Sequence, residues 1–390
     1  MKVMHLLPSL SSGGVEQVVV ELCQGLCARG VETVVVSGGG PLEKDVTAAG
    51  ARHITLPIGR KSIRTFLMVP RVAKLIREER PDVLHLHSRV PAWVGWLAAR
   101  RVEKALRPLV VTSFHGFHSV NFYSAIMAKG DRVIAVSECM KRHILENYPA
   151  TPEEKITVVP NSVDTSLNFP EYRPSDDWWR QWRHDYPELE GKFTLCLPGR
   201  ITRIKGAAHL IPLLSDLRAR GIPAHAVIVG ETKKGKEALR QELEDAFAIA
   251  GLQDAVTWTG FRRDLRDVLC ACDVTLSLTL IPESFGKTTL DALALGRPVA
   301  GYEHGGVGEL LDVFLPQGKI PVGDTSAMAD LLATWHQTPP TPKSPITPLR
   351  LSPRISAPHR PRLHSPHEYR HFCSIKERNM GPAAENYYWR

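Results

Sequence analysis

The sequence contains no apolar run approaching the roughly 18 residues that a membrane-spanning helix needs. Its first ten residues hold one Lys and an apolar stretch broken by His5 and Pro8, too short for a secretory leader. Cysteine is sparse and odd in number, seven at irregular spacing, which gives no disulfide framework. Cys23 and Cys27 stand one helical turn apart and Cys270 and Cys272 alternate. Neither pair has histidines at zinc spacing, so buried free thiols are expected. Asp-x-Asp occurs nowhere, and the linear sequence offers no compact His/Asp/Glu metal set. The G-x-G-x-x-G fingerprint is missing, which argues against a dinucleotide site. Zinc-finger, RNA-binding aromatic and basic-zipper signatures are also missing, so no nucleic-acid partner is expected despite a net charge of +8. The expectation is a cytoplasmic protein with reduced thiols, no metal and no cofactor.

The 390 residues exceed one ordinary core and suit two domains. Charge divides them: residues 1–163 carry a net +7, 164–337 a net −5, and 338–390 a net +6. The first segment opens on a buried strand, Lys2 to Leu7, a glycine turn at Gly13-Gly14 and an apolar-periodic helix to Ala28. A β-branched strand at 32–37 follows. The alternation then runs through helix 64–79, strand 83–87, helix 91–105, strands 109–113 and 132–136, helix 138–147 and strand 156–159. The second segment repeats the plan with strands at 193–198, 224–229, 256–259, 273–278 and 298–301. Helices are predicted at 207–219, 235–250, 262–271, 286–295 and 306–313. Such alternation predicts α/β architecture, two doubly wound parallel sheets with helices on both faces, whose strand ends can face a cleft. The predicted domains are 1–163 and 164–337. Residues 338–390 hold ten prolines and no periodic apolar face, so a disordered tail is expected there.

Chemistry concentrates after the strands of the second domain. In PESFGKTTLDALALGRPV, Glu283 precedes a turn, Gly286 opens a helix and Asp291 lies just over two turns further on. Backbone N–H groups at such a start bind phosphate or hydroxyl oxygens. Either acid alone reads as a solvated surface acid; both flanking a glycine turn read as a site. In GRITRIKG, Arg200 and Lys205 follow a strand directly. Cations are disfavoured at the positive end of a helix, so their placement there predicts an anion between them, and a diphosphate suits the pair. Gly305-Gly306 with Glu309 offers a second helix start. In the first domain, Gly13 and Gly14 permit close backbone approach. His115 in SFHGFH, with His85 and His87, marks two neighbouring strand ends. Each histidine singly reads as structural, and His115 stands out by its glycine and aromatic neighbours.

Three segments together, GRITRIKG, PESFGKTTLDALALGRPVAGYEHGGVGELL and the N-terminal LPSLSSGGVEQVVVEL, resemble the retaining glycosyltransferases of family 4, with the GT-B fold. VIAVSECMKRHIL and VVPNSVDTSLNF are similar to the family's strand and interdomain segments, and the likeness covers roughly residues 1–337. It implies that Arg200 and Lys205 hold the donor diphosphate and that Glu283 contacts the donor sugar, with the backbone of Phe285 and Gly286 beside it. Asp291 stands where a Glu binds the nucleotide ribose, one methylene shorter. Glu309 lies near the nucleotide, Gly13 and Gly14 near the phosphates, and His115 approaches the transferred sugar. The implied reaction takes a sugar from a nucleotide diphosphate sugar, a UDP-sugar, to a lipopolysaccharide-core or related envelope glycan without metal. A catalytically impaired nucleotide-binding protein and a sugar-nucleotide epimerase are the alternatives. The family's chain ends in helices crossing back to the first domain. A shifted reading frame and a diverged terminus both account for the proline-rich sequence found instead. The basic, amphipathic stretch 60–80, with Arg100, Arg101, Lys104 and Arg107, suggests peripheral contact with an anionic inner membrane. Packing of its apolar stripe on the protein's own sheet is the competing reading.

Overall fold

The computed structural model describes residues 1–11, 13–164, 166–232 and 235–343. Beyond residue 343, the tail expected to be unstructured lies outside the described residues. The chain packs as two units, the first Met1–Ser162 and the second beginning at Val163.

In the first unit, β1 (Lys2–Leu6), β2 (Glu32–Ser37), β3 (Arg52–Thr55), β4 (Val83–Leu86), β5 (Leu109–Phe114), β6 (Arg132–Ala135) and β7 (Ile156–Val158) form one sheet. Every pairing is parallel, in the order β3-β2-β1-β4-β5-β6-β7. The helices are α1 (Gly14–Cys27), α2 (Glu43–Ala48), α3 (Val69–Glu79), α4 (Arg89–Ala99) and α5 (Glu138–Asn147). Side chains alternate across a strand, and here the two faces are distinct. Met4, Leu6, Leu84, Leu86, Val110 and Phe114 enter one core with residues of α3 and α4. Val3, Val83 and Val111 enter another with Leu26 of α1. Crossing order between β1 and β4 reverses direction, which makes their carboxyl ends the place where such a sheet takes ligands.

The second unit repeats this with β8 (Phe193–Pro198), β9 (Ala224–Val229), β10 (Val256–Gly260), β11 (Val274–Ser277), β12 (Val299–Tyr302) and β13 (Lys319–Ile320). Their order is β10-β9-β8-β11-β12-β13, again parallel, with the reversal between β8 and β11. The helices here are α6 (Asp176–Asp185), α7 (Leu210–Ala219), α8 (Ala238–Ile249), α9 (Leu265–Ala271), α10 (Lys287–Ala294), α11 (Gly305–Phe314) and α12 (Thr325–Gln337).

Three readings of the sequence are corrected. The helix predicted over 64–79 is two pieces, a 3-10 segment Ile63–Met68 and then α3. Pro70 causes the break: its ring clashes with a carbonyl four residues back, so it is tolerated only in the first turn, where it sits. The helix predicted over 91–105 ends at Ala99. The pattern also passed over α2, β3, α6, β13 and α12. β3 is an edge strand whose ends are exposed, so it lacks a buried apolar run. α6 is DDWWRQWRHD, polar over most of its surface, with Trp182 its buried anchor and Ser175 accepting a hydrogen bond from Trp178 N.

Candidate active site

The glycines of the second unit set the geometry. After β8 the chain turns through Gly199 and reaches Gly206, which has a positive φ of 72°. A Cβ at Gly206 would run into the carbonyl of Leu278, so only glycine lets this turn lie on the segment after β11. Leu280 N donates to Ile204 O at 2.7 Å and ties the two segments together. Across that tie the Lys205 ammonium meets the Glu283 carboxylate. Thr279 Oγ1 donates to the same carboxylate oxygen at 2.8 Å. Both charged side chains remain about a quarter to a third exposed.

A second pair of glycines fixes Glu283 from below. Gly306 N donates to the Glu283 carbonyl at 2.7 Å. A Cβ on Gly306 would sit 2.5 Å from the Phe285 carbonyl oxygen. Gly305 has a φ of 60°, and its Cβ position is filled by Glu283 backbone. α11 therefore begins in backbone contact with the loop that carries Glu283. Gly306→Ala is expected to cost about 1–3 kcal/mol, the range for overpacking against atoms that cannot swing away. The midpoint of thermal unfolding is the measurement, and an unshifted midpoint would contradict the contact.

The predicted site residues of this unit divide into groups. Glu283 and Lys205 meet. Phe285 is buried, and Gly286, at φ 89°, forms the N-cap of α10. Asp291 does not join Glu283; it pairs with Lys287 one turn back at 2.6 Å. Burial pushes the Asp291 carboxyl up, and Lys287 pulls it back. Arg200 is exposed and has no hydrogen bond or ion pair among the described residues. Its guanidinium is therefore available to an anion beside the β8 turn. Glu309 lies half-buried in the second turn of α11. The sequence missed Thr279 and Gly206, whose parts appear only once the β8 and β11 ends are side by side.

In the first unit, Gly13 caps α1 and Gly14 is its first residue. Gly13 has φ −158°, an extended conformation open to any residue. Among the described residues, no atom beyond its chain neighbours and its own helix backbone lies within 4 Å of a Cβ placed on Gly14. The fold itself therefore does not require glycine at Gly14.

The histidines converge more closely than the linear sequence shows. Among the described residues His5, His85 and His87 place ring nitrogens within 4.8 Å of one another, a spacing compatible with a metal ion. The linear sequence showed no compact set because these residues converge only through parallel pairing. His5 is the registered partner of His85, and His87 lies two residues on, the same face by strand alternation. Five ring nitrogens of this group are hydrogen-bonded within the protein, while His5 Nε2 has no hydrogen-bond partner among the described residues. His5 Nδ1 bonds His87 Nε2 at 2.9 Å, His87 Nδ1 bonds His115 Nε2 at 3.0 Å, and His85 Nε2 bonds Ser113 Oγ at 2.7 Å. Burial is the main reason all stay neutral: it brings His5 down to about 3 and His115 to about 4, and pushes His85 and His87 well below the ordinary value.

Residues 12–167 match Glycosyltransferase Family 4, and residues 192–337 match the family described as Glycosyl transferases group 1. A D-inositol 3-phosphate glycosyltransferase of Stackebrandtia nassauensis is 28% identical over 246 residues, covering 58% of this chain and 54% of that protein. The N-acetyl-alpha-D-glucosaminyl L-malate synthase of Bacillus anthracis is 23% identical over 340 residues, with 83% and 84% covered. A solved Anabaena protein in complex with UDP and glucose superposes with a TM-score of 0.73 at 21% identity, over 87% of this chain and 90% of that one. The chain thus spans about half the length of the first of these relatives. Its two parallel α/β sheets are of the GT-B type. With both halves matched, in order, over most of its length, the chain belongs to the family 4 glycosyltransferases.

Proposed function

We propose that this protein transfers a sugar, with retention and without a metal, from a UDP-sugar to a hydroxyl of a lipid-linked envelope glycan of the lipopolysaccharide-core kind. The observation that carries the reading is the meeting of Lys205 and Glu283 where β8 and β11 end, close in sequence to Arg200, which has no partner among the described residues. Two cations at the switch point of a parallel sheet suit a diphosphate. They stabilise it as charge develops on departure. Glu283, anchored by Thr279 and by Gly306, is the sugar-side acid. Gly286 N-caps α10 and presents backbone beside it. Asp291 takes the ribose side and Glu309 the nucleotide side. In the first unit, Gly13 and Gly14 leave room near the phosphates, and His115 hydrogen-bonds the transferred sugar. The Anabaena structure binding UDP and glucose supports the donor class.

The test is incubation with radiolabelled UDP-sugars and extracted envelope glycan. Label in the glycan is the expected result, and its survival in EDTA is expected too. Binding of UDP with no label transferred would instead identify an impaired nucleotide-binding protein, and a changed free sugar an epimerase.

The glycan class draws support from the surface before α3. Ile63 and Leu67 are 88% and 70% exposed. Arg60, Lys61, Arg64 and Arg71 around them are exposed as well, whereas Val72 and Ile76 are buried against the sheet. The apolar stripe expected over 60–80 thus splits into a packed half and an exposed half. Among the described residues no helix is long and apolar enough to cross a membrane. Each basic residue near an anionic leaflet contributes about 1 kcal/mol. Flotation with anionic liposomes at low salt is expected, with loss at high salt or in the double variant Ile63→Asp, Leu67→Asp. No flotation at low salt would remove the membrane contact.

A further inference from the structure

We propose that Arg89, with the Tyr123 hydroxyl beside it, forms a subsite for an anionic group of the acceptor glycan, a phosphate or a carboxylate. This rests on the reading of the protein as a glycan transferase and adds the chemistry its acceptor must carry. Arg89 stands two residues beyond His87 of the histidine ladder and is the first residue of α4. It therefore follows the end of β4, at the reversal in strand order where such a sheet takes ligands. A cation is disfavoured at the positive end of a helix. The first turn of α4 has no acid, and Ser88 at the N-cap makes no side-chain capping bond. The half-buried guanidinium donates to Ser124 Oγ at 3.2 Å and lies 5.5 Å from the Tyr123 ring centre, both neutral groups. No carboxylate pairs with it among the described residues.

Donors without acceptors gather around this cation. The Tyr123 and Tyr148 hydroxyls are buried and have no hydrogen-bond partner among the described residues, and Tyr148 as a whole is only 7% exposed. His143 Nε2 is a third such atom. Burial lowers the His143 value, so the ring is neutral, and its proton can be placed. Asn147 Nδ2 donates to the His143 carbonyl at 2.9 Å, which fixes the nitrogen end of the amide toward His143. The same nitrogen lies 3.1 Å from His143 Nδ1, which must accept. The ring then carries its proton on Nε2, as a donor. Ring contacts hold the group together: Tyr148 lies 6.4 Å from His143 and 5.7 Å from Phe114, and Phe114 lies 6.2 Å from His118. Burial pushes both tyrosine hydroxyls up, and the Arg89 charge draws them back. Burial, then Arg89 and His143, bring His118 down to about 4. One cation without an acid and three unused donors suit an anion with several acceptor oxygens.

With Arg200 and Lys205 proposed for the donor diphosphate, the anion at Arg89 is assigned to the acceptor. An anion held equally in the ground and transition states acts on KM and not on kcat.

The first experiment titrates inorganic phosphate into the full-length chain and follows the His118 ring resonances by NMR. They are expected to shift in the wild type and to stay in place in Arg89→Gln. No shift in the wild type would overturn the site. This titration needs no turnover, so it decides the anion site even if no sugar is transferred. The second measures transfer from a saturating labelled UDP-sugar to extracted glycan. In Arg89→Gln the KM for glycan should rise about ten- to a hundredfold, the scale of a lost charge-assisted hydrogen-bonded pair, with kcat and the KM for the UDP-sugar nearly unchanged. In Tyr123→Phe it should rise severalfold while the thermal midpoint does not fall, because that hydroxyl has no protein partner among the described residues. Glycan stripped of phosphate by hydrofluoric acid, or with its carboxylates masked as methylamides, separates the two anions. One of the treatments should raise the wild-type KM to the level of Arg89→Gln on untreated glycan. A wild-type KM unmoved by both treatments would overturn the proposal. A rise in the KM for the UDP-sugar in place of the glycan would overturn it too, by moving Arg89 to the donor.

Discussion

The fold is expected to lose stability steeply as pH falls from about 6.5 toward 4. His5, His85, His87, His115 and His118 lie in the first unit, and burial is the leading cause of the lowered value in each. Around His118 the Arg89 guanidinium and His143 add to the effect of burial. In the unfolded chain these histidines titrate near 6.5; in the native fold His115 and His118 do so at about 4 and His5 at about 3. Between those values the unfolded chain binds more protons than the native one, so stability rises with pH across the window. The contribution is fully present above about 6.5 and is lost as pH drops through the window. One such group costs about 2 kcal/mol at pH 5. Three such groups, His5, His115 and His118, make up a large part of the roughly 5–15 kcal/mol by which ordinary domains are stable, and His85 and His87 act in the same direction. Urea midpoints measured from pH 7.5 to 4.5 are expected to fall, with hydrogen exchange accelerating first in β1, β4 and β5. In the second unit only His209 and His225 are lowered in this way among the described residues, so its exchange should respond less. A midpoint level between pH 7 and 5 would contradict the neutral ladder.

That ladder also shows where the sequence stops being legible. The strands could be read because Val34, Val35 and Val36, or Leu195 to Leu197, are apolar on both faces, as covered parallel strands must be. The Gly turns after β8 and before α11 were visible as punctuation, and Arg200, Lys205 and Glu283 stood out because charges at a helix start require a reason. What could not be read was partnership. Lys205 and Glu283 are 78 residues apart, and their meeting depends on Gly206 fitting beneath Leu278. His5 and His85 come together by strand register, which no local pattern encodes. Asp291 was grouped with Glu283 by spacing, yet Lys287, four residues away, captures it on the same helix face. Elements without a continuous apolar face, such as β3 and α6, escaped for the same reason: their burial rests on a few residues, Trp182 in α6.

Lys205→Ala is expected to reduce turnover about a hundredfold, on the order of 3 kcal/mol, the scale of a lost donor to a developing anion. Stability should change by less than about 1 kcal/mol, because the pair it forms with Glu283 is partly exposed and such pairs contribute little. Two roles for the ammonium make different predictions. If Lys205 only neutralises Glu283, removing the acid's charge as well should restore activity, and Lys205→Ala with Glu283→Gln should outperform Lys205→Ala alone. If Lys205 leaves Glu283 for the diphosphate when the donor binds, the double variant should be at least as slow as the single one. UDP affinity should also weaken in both. Glu283→Gln keeps the Thr279 contact and the backbone bond from Gly306, so the loop stays in place and the comparison isolates charge. Arg200→Ala should fall in the same range with no loss of stability, since Arg200 has no protein partner among the described residues. Lys205→Arg should recover only part of the rate, because a planar fork does not replace a point charge at one position. Steady-state rates with a labelled UDP-sugar and calorimetric UDP binding provide the measurements. Wild-type turnover in Lys205→Ala would end the diphosphate assignment. Rescue by the double variant would move Lys205 from the donor to the acid beside it.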